Sequence, residues 1–465
     1  MTATSSFSEL KLPEEIQQAL IDLKYSEQTL TQQESLPALL SGQDVAVKAK
    51  TGSGKTLAFG ITLFNSMIEA HRNGHTGLYA MVLCPTRELA QQVAEQLRLL
   101  AKHYANTKIL TLVGGVPIGA QVSSLVHTPS IVVGTPGRMM DLISRKHLDV
   151  STMQSLVLDE ADRMLDMGFS DQVDWILNGL PKKRQTMLFS ATFGGAIEKI
   201  TKQYLKQAKI VEVEENQAHA SITQLAYQIQ DNRTEYAVAG LLSHYQPQSA
   251  MVFCQTKHET QALADELAHM GFIVQAIHGD LAQSDRQQVL AQFALQTCNV
   301  LVATDVAARG LDLEQVDLVI NSSLADSSDI HTHRIGRTGR AEKTGTAITL
   351  IFEHQKNALS KIEEDTKSHI PVKHIQAIRF HANRIVFPTH ECVLVAGGKK
   401  QKISKGDILG ALTKQAEIAG SDIGKMLITR DKSYIAVKQR SVKRALGYFR
   451  ENKVKGKSLR ARRLK

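Results

Sequence analysis

Ala49-Lys50-Thr51-Gly52-Ser53-Gly54-Lys55-Thr56 is the stretch of this chain best suited to chemistry. Its glycines let backbone N–H groups close around an anion, and the lysine and hydroxyl that follow suit terminal phosphates and a divalent cation. In that reading Thr51, Gly52, Ser53 and Gly54 form the cradle, Lys55 reaches the β- and γ-phosphates, and Thr56 ligates Mg²⁺. The first glycine of the general pattern is Ala49 here. A second cluster, Asp159-Glu160-Ala161-Asp162, ends the apolar run Ser155–Leu158. An acid at the carboxyl end of a buried strand, in the sheet that carries a phosphate loop, is where a metal-binding carboxylate is needed. Asp159 would hold the metal, and Glu160 would orient or deprotonate an attacking water. Either string alone has a plainer explanation, a Gly-rich turn or a helix N-terminus rich in acids. Their coupling points to nucleoside triphosphate hydrolysis.

Such groups need a rigid frame. From about residue 45 to 215 short β-rich runs (DVAVKA, YAMVLCP, SIVVGTP, SLVLDEA, TMLFSAT, KIVEV) alternate with amphipathic helical stretches, the pattern of βαβ units in a mostly parallel sheet. After a polar link, VEVEENQAHAS, the rhythm restarts with SAMVFCQ, FIVQAIHGD, NVLVATD, DLVINS and TAITLIF. Past Pro371 the order becomes β-α-β-β-α-β, with GKSLRARRL as the last strand, a small α+β module. The expected fold class is α/β: two tandem parallel-sheet domains, 1–212 and 213–375, followed by an α+β domain at 384–465.

The motif order resembles that of a DEAD-box ATP-dependent RNA helicase over about residues 5 to 370. It continues with Pro85-Thr86-Arg87-Glu88-Leu89-Ala90, Gly114-Gly115, Thr135-Pro136-Gly137-Arg138 and Ser190-Ala191-Thr192. The second domain adds Val252-Phe253-Cys254, Gln283-x-x-Arg286, Ala303-Thr304-Asp305, and His333-Arg334-Ile335-Gly336-Arg337-Thr338-Gly339-Arg340. The resemblance implies RecA-like domains, ATP with Mg²⁺, and RNA as partner. It places Phe7 on adenine and Gln32 at its edge, Asp312 on the ribose, and Arg337 and Arg340 as arginine fingers. Ser190, Thr192 and His333 would couple ATP to RNA. Arg87, Gly114, Gly115, Thr135 and Arg138, with Arg286 and Thr304, would grip the RNA sugar-phosphate backbone. Departures are Lys24 where the family prefers glycine, Gln28 where it prefers proline, Asn321-Ser322-Ser323-Leu324-Ala325 without the usual aromatic and proline, and His331 in place of tyrosine.

The formal charge is +9, and its location matters more than its size. Residues 385–465 hold 20 Lys/Arg against 6 Asp/Glu, a net of +14, which leaves −5 for the rest. This asymmetry points to nucleic acid. The α+β module resembles an RNA-recognition motif, although its third strand offers only Tyr434 as an aromatic, and joined to this core it resembles the DbpA subfamily. That implies docking on large-subunit rRNA. The expected surface comprises Lys399, Lys400, Lys402, Lys453, Lys455, Lys457, Arg460, Arg462 and Arg463. Four scattered cysteines without a CxxC pair suit a reducing compartment, and no secretory leader or membrane span is visible, so a cytoplasmic monomer is expected. Rival readings are a general RNA helicase without rRNA preference, a DNA translocase and a non-hydrolysing RNA clamp.

Overall fold

The computed structural model describes residues 5–49, 52–213, 222–230, 234–308, 315–339 and 344–464. Among the predicted site residues, Thr51, Asp312 and Arg340 lie outside the described residues, as does most of the polar link.

The first sheet contains β1 (Val45–Lys48), β2 (Ala80–Leu83), β3 (Ile109–Leu112), β4 (Ile131–Gly134), β5 (Ser155–Leu158), β6 (Gln185–Ser190) and β7 (Lys209–Glu212). Their order is β3-β4-β2-β5-β6-β1-β7, all pairs parallel. Helices bury both faces of the sheet, so the central strands are continuous apolar runs, not alternating ones. The crossing helices bring the carboxyl ends of β1, β2, β4, β5 and β6 to one edge, and each end runs into a predicted motif.

A second sheet repeats the plan with β8 (Ile222–Gln228), β9 (Ala250–Cys254), β10 (Val274–Ile277), β11 (Val300–Thr304), β12 (Leu318–Asn321), β13 (Gly345–Ile351) and β14 (Val372–His374), in the order β10-β11-β9-β12-β13-β8-β14. The C-terminal domain has an antiparallel sheet of β15 (His390–Val395), β16 (Ile423–Ile428), β17 (Ser433–Lys438) and a late strand, with helices at Lys405–Gly410 and Gln439–Glu451 on one face. The predicted final strand is divided. A short hairpin, β18 (Lys453–Val454) and β19 (Lys457–Ser458), turns through Lys455 and Gly456 at φ 50° and 73°, and only β20 (Ala461–Arg463) joins the sheet beside β15. The described chain separates into two compact units, one built on the first sheet and one holding the others.

Within the second unit, the C-terminal sheet uses its helix-free face for packing. Cys392, Leu394, Tyr434, Ala436 and Leu464 cluster with Ala291 and Leu295, at the end of helix Gln283–Ala294. Arg462 donates to Gln288 Oε1 at 2.7 Å, and Asn299 Nδ2 donates to the carbonyl of Val386 at 2.8 Å. Tyr434 is 1 % exposed. The aromatic that would serve an RNA-recognition sheet is thus a packing residue.

Candidate active site and nucleic-acid interface

Two glycines shape the loop after β1. Gly52 and Gly54 stand at φ 87° and 86°, and Gly54 caps helix Lys55–Arg72. A Cβ on Gly54 would collide with the amide of Gln32. The cost of a side chain there is therefore both steric and conformational. Lys55 is buried and its ammonium donates to the carbonyl of Ala49 at 3.0 Å. Ser53 Oγ is buried with no hydrogen-bond partner. An orphaned hydroxyl beside an N–H-lined helix start fits a phosphate ligand.

The N-terminal segment braces this loop. Thr29 caps helix Leu30–Leu40 through a capping box with Gln32. Thr29 Oγ1 donates to the carbonyl of Ser53 at 2.7 Å, and Gln32 Nε2 donates to that of Gly54 at 3.0 Å. Gln32 is thereby bonded to the phosphate-loop backbone. Phe7 is 3 % exposed and belongs to the core with Ile16, Leu20 and Leu36, which makes it a core anchor in this structure. Both departures from the family pattern here have local causes. Lys24, at φ 61°, closes the helix Glu14–Asp22 in a Schellman turn, its N–H donating to Ile21 and that of Tyr25 to Leu20. The N–H of Gln28, which a proline would lack, donates to Ser5 at 3.0 Å, and its side chain to Ser6 at 2.9 Å.

At the end of β5, Asp159 and Glu160 are 3 % and 4 % exposed. Burial holds the Asp159 carboxyl well above the usual carboxylate range, Lys55 pulls it down, and Glu160 raises it again. A buried acid pair facing Lys55, at the start of the helix that also carries Thr56, fits a hard divalent cation. Among the described residues no cluster of three or more His, Cys, Asp or Glu forms a complete metal cage.

Two neighbours missed as site residues complete this corner. Asp162 Oδ2 accepts from the N–H groups of Ala191 and Thr192, both at 3.0 Å, and from Thr192 Oγ1 at 3.2 Å. Ser190 Oγ donates to the carbonyl of Thr192 at 2.6 Å. The acidic motif and the Ser-Ala-Thr motif are thereby one hydrogen-bonded unit. Arg163, 2 % exposed, pairs with Glu160 at 2.7 Å. Asp162 belongs to the acidic tetrapeptide, but nothing in the string shows what it bonds. Arg163 had only its i,i+3 spacing from Glu160 as a signal.

A second group assembles elsewhere on the same unit. Gly115, at φ 68°, has the Arg87 guanidinium lying where a Cβ would stand. Gly114 N–H donates to Thr135 Oγ1 at 3.4 Å, and Arg138 Nη2 donates to the carbonyl of Val116 at 3.1 Å. Arg138 Nη1 is buried without a partner. Arg87, Gly114, Gly115, Thr135 and Arg138 are thus brought together, with arginine N–H groups and backbone amides suited to phosphate oxygens. In the second unit Arg286 Nη2 donates to Ala307 O at 2.7 Å and Ala307 N–H to Thr304 Oγ1 at 3.3 Å, so Arg286 and Thr304 also converge. Arg334, unpredicted, is 2 % exposed and bidentate with Asp305 at 2.7 Å. It anchors helix Ser328–Ile335, which carries His333 and leads into Arg337. Asn321, in the divergent segment, is fully buried and donates to Thr349 Oγ1 at 2.9 Å.

The chain matches the DEAD/DEAH box helicase family over residues 29–200, the helicase conserved C-terminal domain over 232–342 and the DbpA RNA binding domain over 393–463. It is 42% identical over 446 residues, 96% of either chain, to the ATP-dependent RNA helicase DbpA of Escherichia coli. The chain belongs to the DEAD-box ATP-dependent RNA helicases. Another member, the DEAD-box ATP-dependent RNA helicase CshA of Bacillus subtilis, is 39% identical over 78% of this chain and 73% of its own. Among solved structures, S. cerevisiae Dbp5 bound to RNA and ADP BeF3 is similar with a TM-score of 0.69 and 28% identity, covering 80% of this chain and 96% of that one. This DEAD-box helicase therefore has two RecA-like domains and a C-terminal RNA-binding domain, uses ATP and binds RNA. No helix among its described residues is long and apolar enough to cross a membrane.

The tail lysines are exposed and grouped. Lys455 Nζ donates to the carbonyl of Lys402 at 3.2 Å and pairs with Asp407 at 3.0 Å, while Lys457 Nζ donates to that of Gln401 at 2.6 Å. The β18–β19 hairpin is thus tied to the loop of Lys399, Lys400 and Lys402. Lys453 and Arg460 are exposed as well. Arg462 and Arg463 have partners within the protein, Gln288 and Glu391, so their guanidinium groups brace β20.

Proposed function

We propose that this helicase acts on large-subunit ribosomal RNA, docking through its basic C-terminal domain and separating short duplexes nearby during ribosome assembly. The observation that carries this reading is the location of charge: +14 on the last 81 residues against −5 on the rest. Charge on a motor would favour any RNA, whereas charge on a separate domain raises the local concentration of the RNA which that domain holds. The lysines of the two joined loops form the docking surface, with Arg460 beside them.

The roles assigned to the core follow from its chemistry. Gly52, Ser53 and Gly54, with Thr51, cradle the phosphates, and Lys55 faces them. Mg²⁺, held by Asp159 and Thr56, would neutralise charge on the transferring phosphoryl group. Glu160 accepts a proton from the attacking water, and Arg337 and Arg340 supply positive charge to the transition state. Asp162 transmits the state of the acidic motif to Ser190 and Thr192. Arg87, Gly114, Gly115, Thr135 and Arg138 hold RNA phosphates on the first domain, as Arg286 and Thr304 do on the second. We place the boundaries at 1–212, 213–375 and 384–465, and read the protein as a cytoplasmic monomer, consistent with four free, buried cysteines.

ATPase stimulation by large-subunit rRNA, small-subunit rRNA and a homopolymer tests the reading. Activation at far lower concentrations of large-subunit rRNA is expected. Equal half-activation by all three would replace it with a general RNA helicase, and full activation by single-stranded DNA would favour a DNA translocase.

A further inference from the structure

We infer that Arg163 is a positioning residue for ATP hydrolysis, holding the Glu160 carboxylate in one orientation. The inference rests on the assignment of Glu160 to the attacking water. Glu160 stands in left-handed backbone, φ 53° and ψ 52°, at the start of helix Ala161–Asp166, a conformation that needs its surroundings to hold it. Arg163, in the first turn of that helix, donates Nη1 to Glu160 Oε2 at 2.7 Å, with side chains 2 % and 5 % exposed.

The backbone at the Arg163 end is tied down. The N–H of Arg163 donates to Asp162 Oδ1 at 3.0 Å, and Asp162 is itself bonded to Ala191 and Thr192. Arg163 also ranks among the largest fully buried side chains of the protein. Burying a guanidinium is costly, and an ion pair in this setting adds little stability over an apolar pair of similar volume. Packing alone is therefore a poor reason for an arginine here. Pinning one carboxylate oxygen fixes the plane of the group, and general-base catalysis depends on that geometry.

The test is steady-state ATP hydrolysis by the full chain with saturating RNA, comparing Arg163→Met, Arg163→Gln and Arg163→Lys with the native protein and with Glu160→Gln. Arg163→Met should lower kcat about tenfold to a hundredfold while KM for ATP stays within about twofold. Arg163→Lys, which restores a charged donor, should recover much of the loss. A folded Arg163→Met protein with native kcat would overturn the inference, as would kcat and KM changing together without recovery in the lysine variant. Should the methionine variant fail to fold, Arg163→Gln is read by the same split. Turnover surviving in Glu160→Gln would instead remove the underlying assignment of Glu160, whatever the Arg163 variants do.

Discussion

His331 should make the second unit lose stability on mild acidification. Its ring is 1 % exposed; Nε2 lies 2.9 Å from Gln224 Oε1, an acceptor that needs Nε2 protonated, and Nδ1 is buried without a partner. A second proton on Nδ1 would find no acceptor and would face the Arg334 guanidinium. Burial first, and Arg334 second, lower its pKa from the usual 6.5 to about 4. Because the folded value lies below the unfolded one, the stability contribution is complete above pH 6.5. It is lost as pH falls toward 4, by up to about 1.4 kcal/mol per pH unit. Between pH 7.5 and 5.5 the loss is about 1.4 kcal/mol. His331→Gln keeps a donor for Gln224 but takes up no proton. Native-state hydrogen exchange on amides of β8 and helix Ser328–Ile335 isolates this region from the first unit. The stability difference between native and variant should change by about 1.4 kcal/mol over that range, with other titrating groups cancelling. A difference that stays constant with pH would refute the reasoning.

Three further outcomes are expected. Lys24→Gly, at a Schellman turn with φ 61°, should stabilise the first unit by about 0.5–1 kcal/mol in denaturant unfolding, and a destabilised protein would contradict the strain assigned there. Asp162→Ala strips the acceptor from the N–H groups of Ala191 and Thr192 and should cost about 3 kcal/mol in stability, given about 1.5–3 for a hydrogen bond to a charged group. It should also uncouple RNA unwinding from ATP turnover, and unwinding that still tracks turnover would argue against the link. Replacing Lys455 and Lys457 by Gln should reduce the slope of log binding constant against log salt for rRNA by about 1 to 2. An unchanged slope would discard the two joined loops as the docking surface.

Most of the frame is legible because parallel strands covered on both faces write themselves as short apolar runs, several ending in a motif. The strands that escaped are edge strands or mixed in polarity: β3, ILTL, half-buried; β8, ITQLAYQ, with polar residues throughout; and β14, VKH, exposed along its length. The site divides along the same line. Residues that act through their own chemistry, such as Lys55 and Asp159, carry recognisable spacing. Residues that act through a partner do not, because the partner lies elsewhere in the chain: Asp162 needs Ala191 and Thr192, and Gln28 needs Ser5 and Ser6. Phe7 shows the limit of resemblance, since a motif position supplies a residue type and only packing decides whether the ring is displayed or buried.

Tyr434 carries that limit into the C-terminal domain and changes what its charge can do. In a sheet that stacks bases, an aromatic on β17 would select RNA by π-contact. Here the same face is closed over Ala291 and Leu295, and burial pushes the Tyr434 phenol up to about 12. Under the proposed docking, recognition would then come from the rim, where Lys455 and Lys457 join the hairpin to the loop of Lys399–Lys402. A rim of ammonium groups alone reads phosphate positions. Discrimination among RNAs would therefore depend on the shape of a folded hairpin that sets several phosphates at the spacing of the two loops. Helix Gln283–Ala294 ends on the closed sheet face and carries Arg286 in its first turn, so the C-terminal sheet and a residue proposed to grip RNA are fixed to a single element.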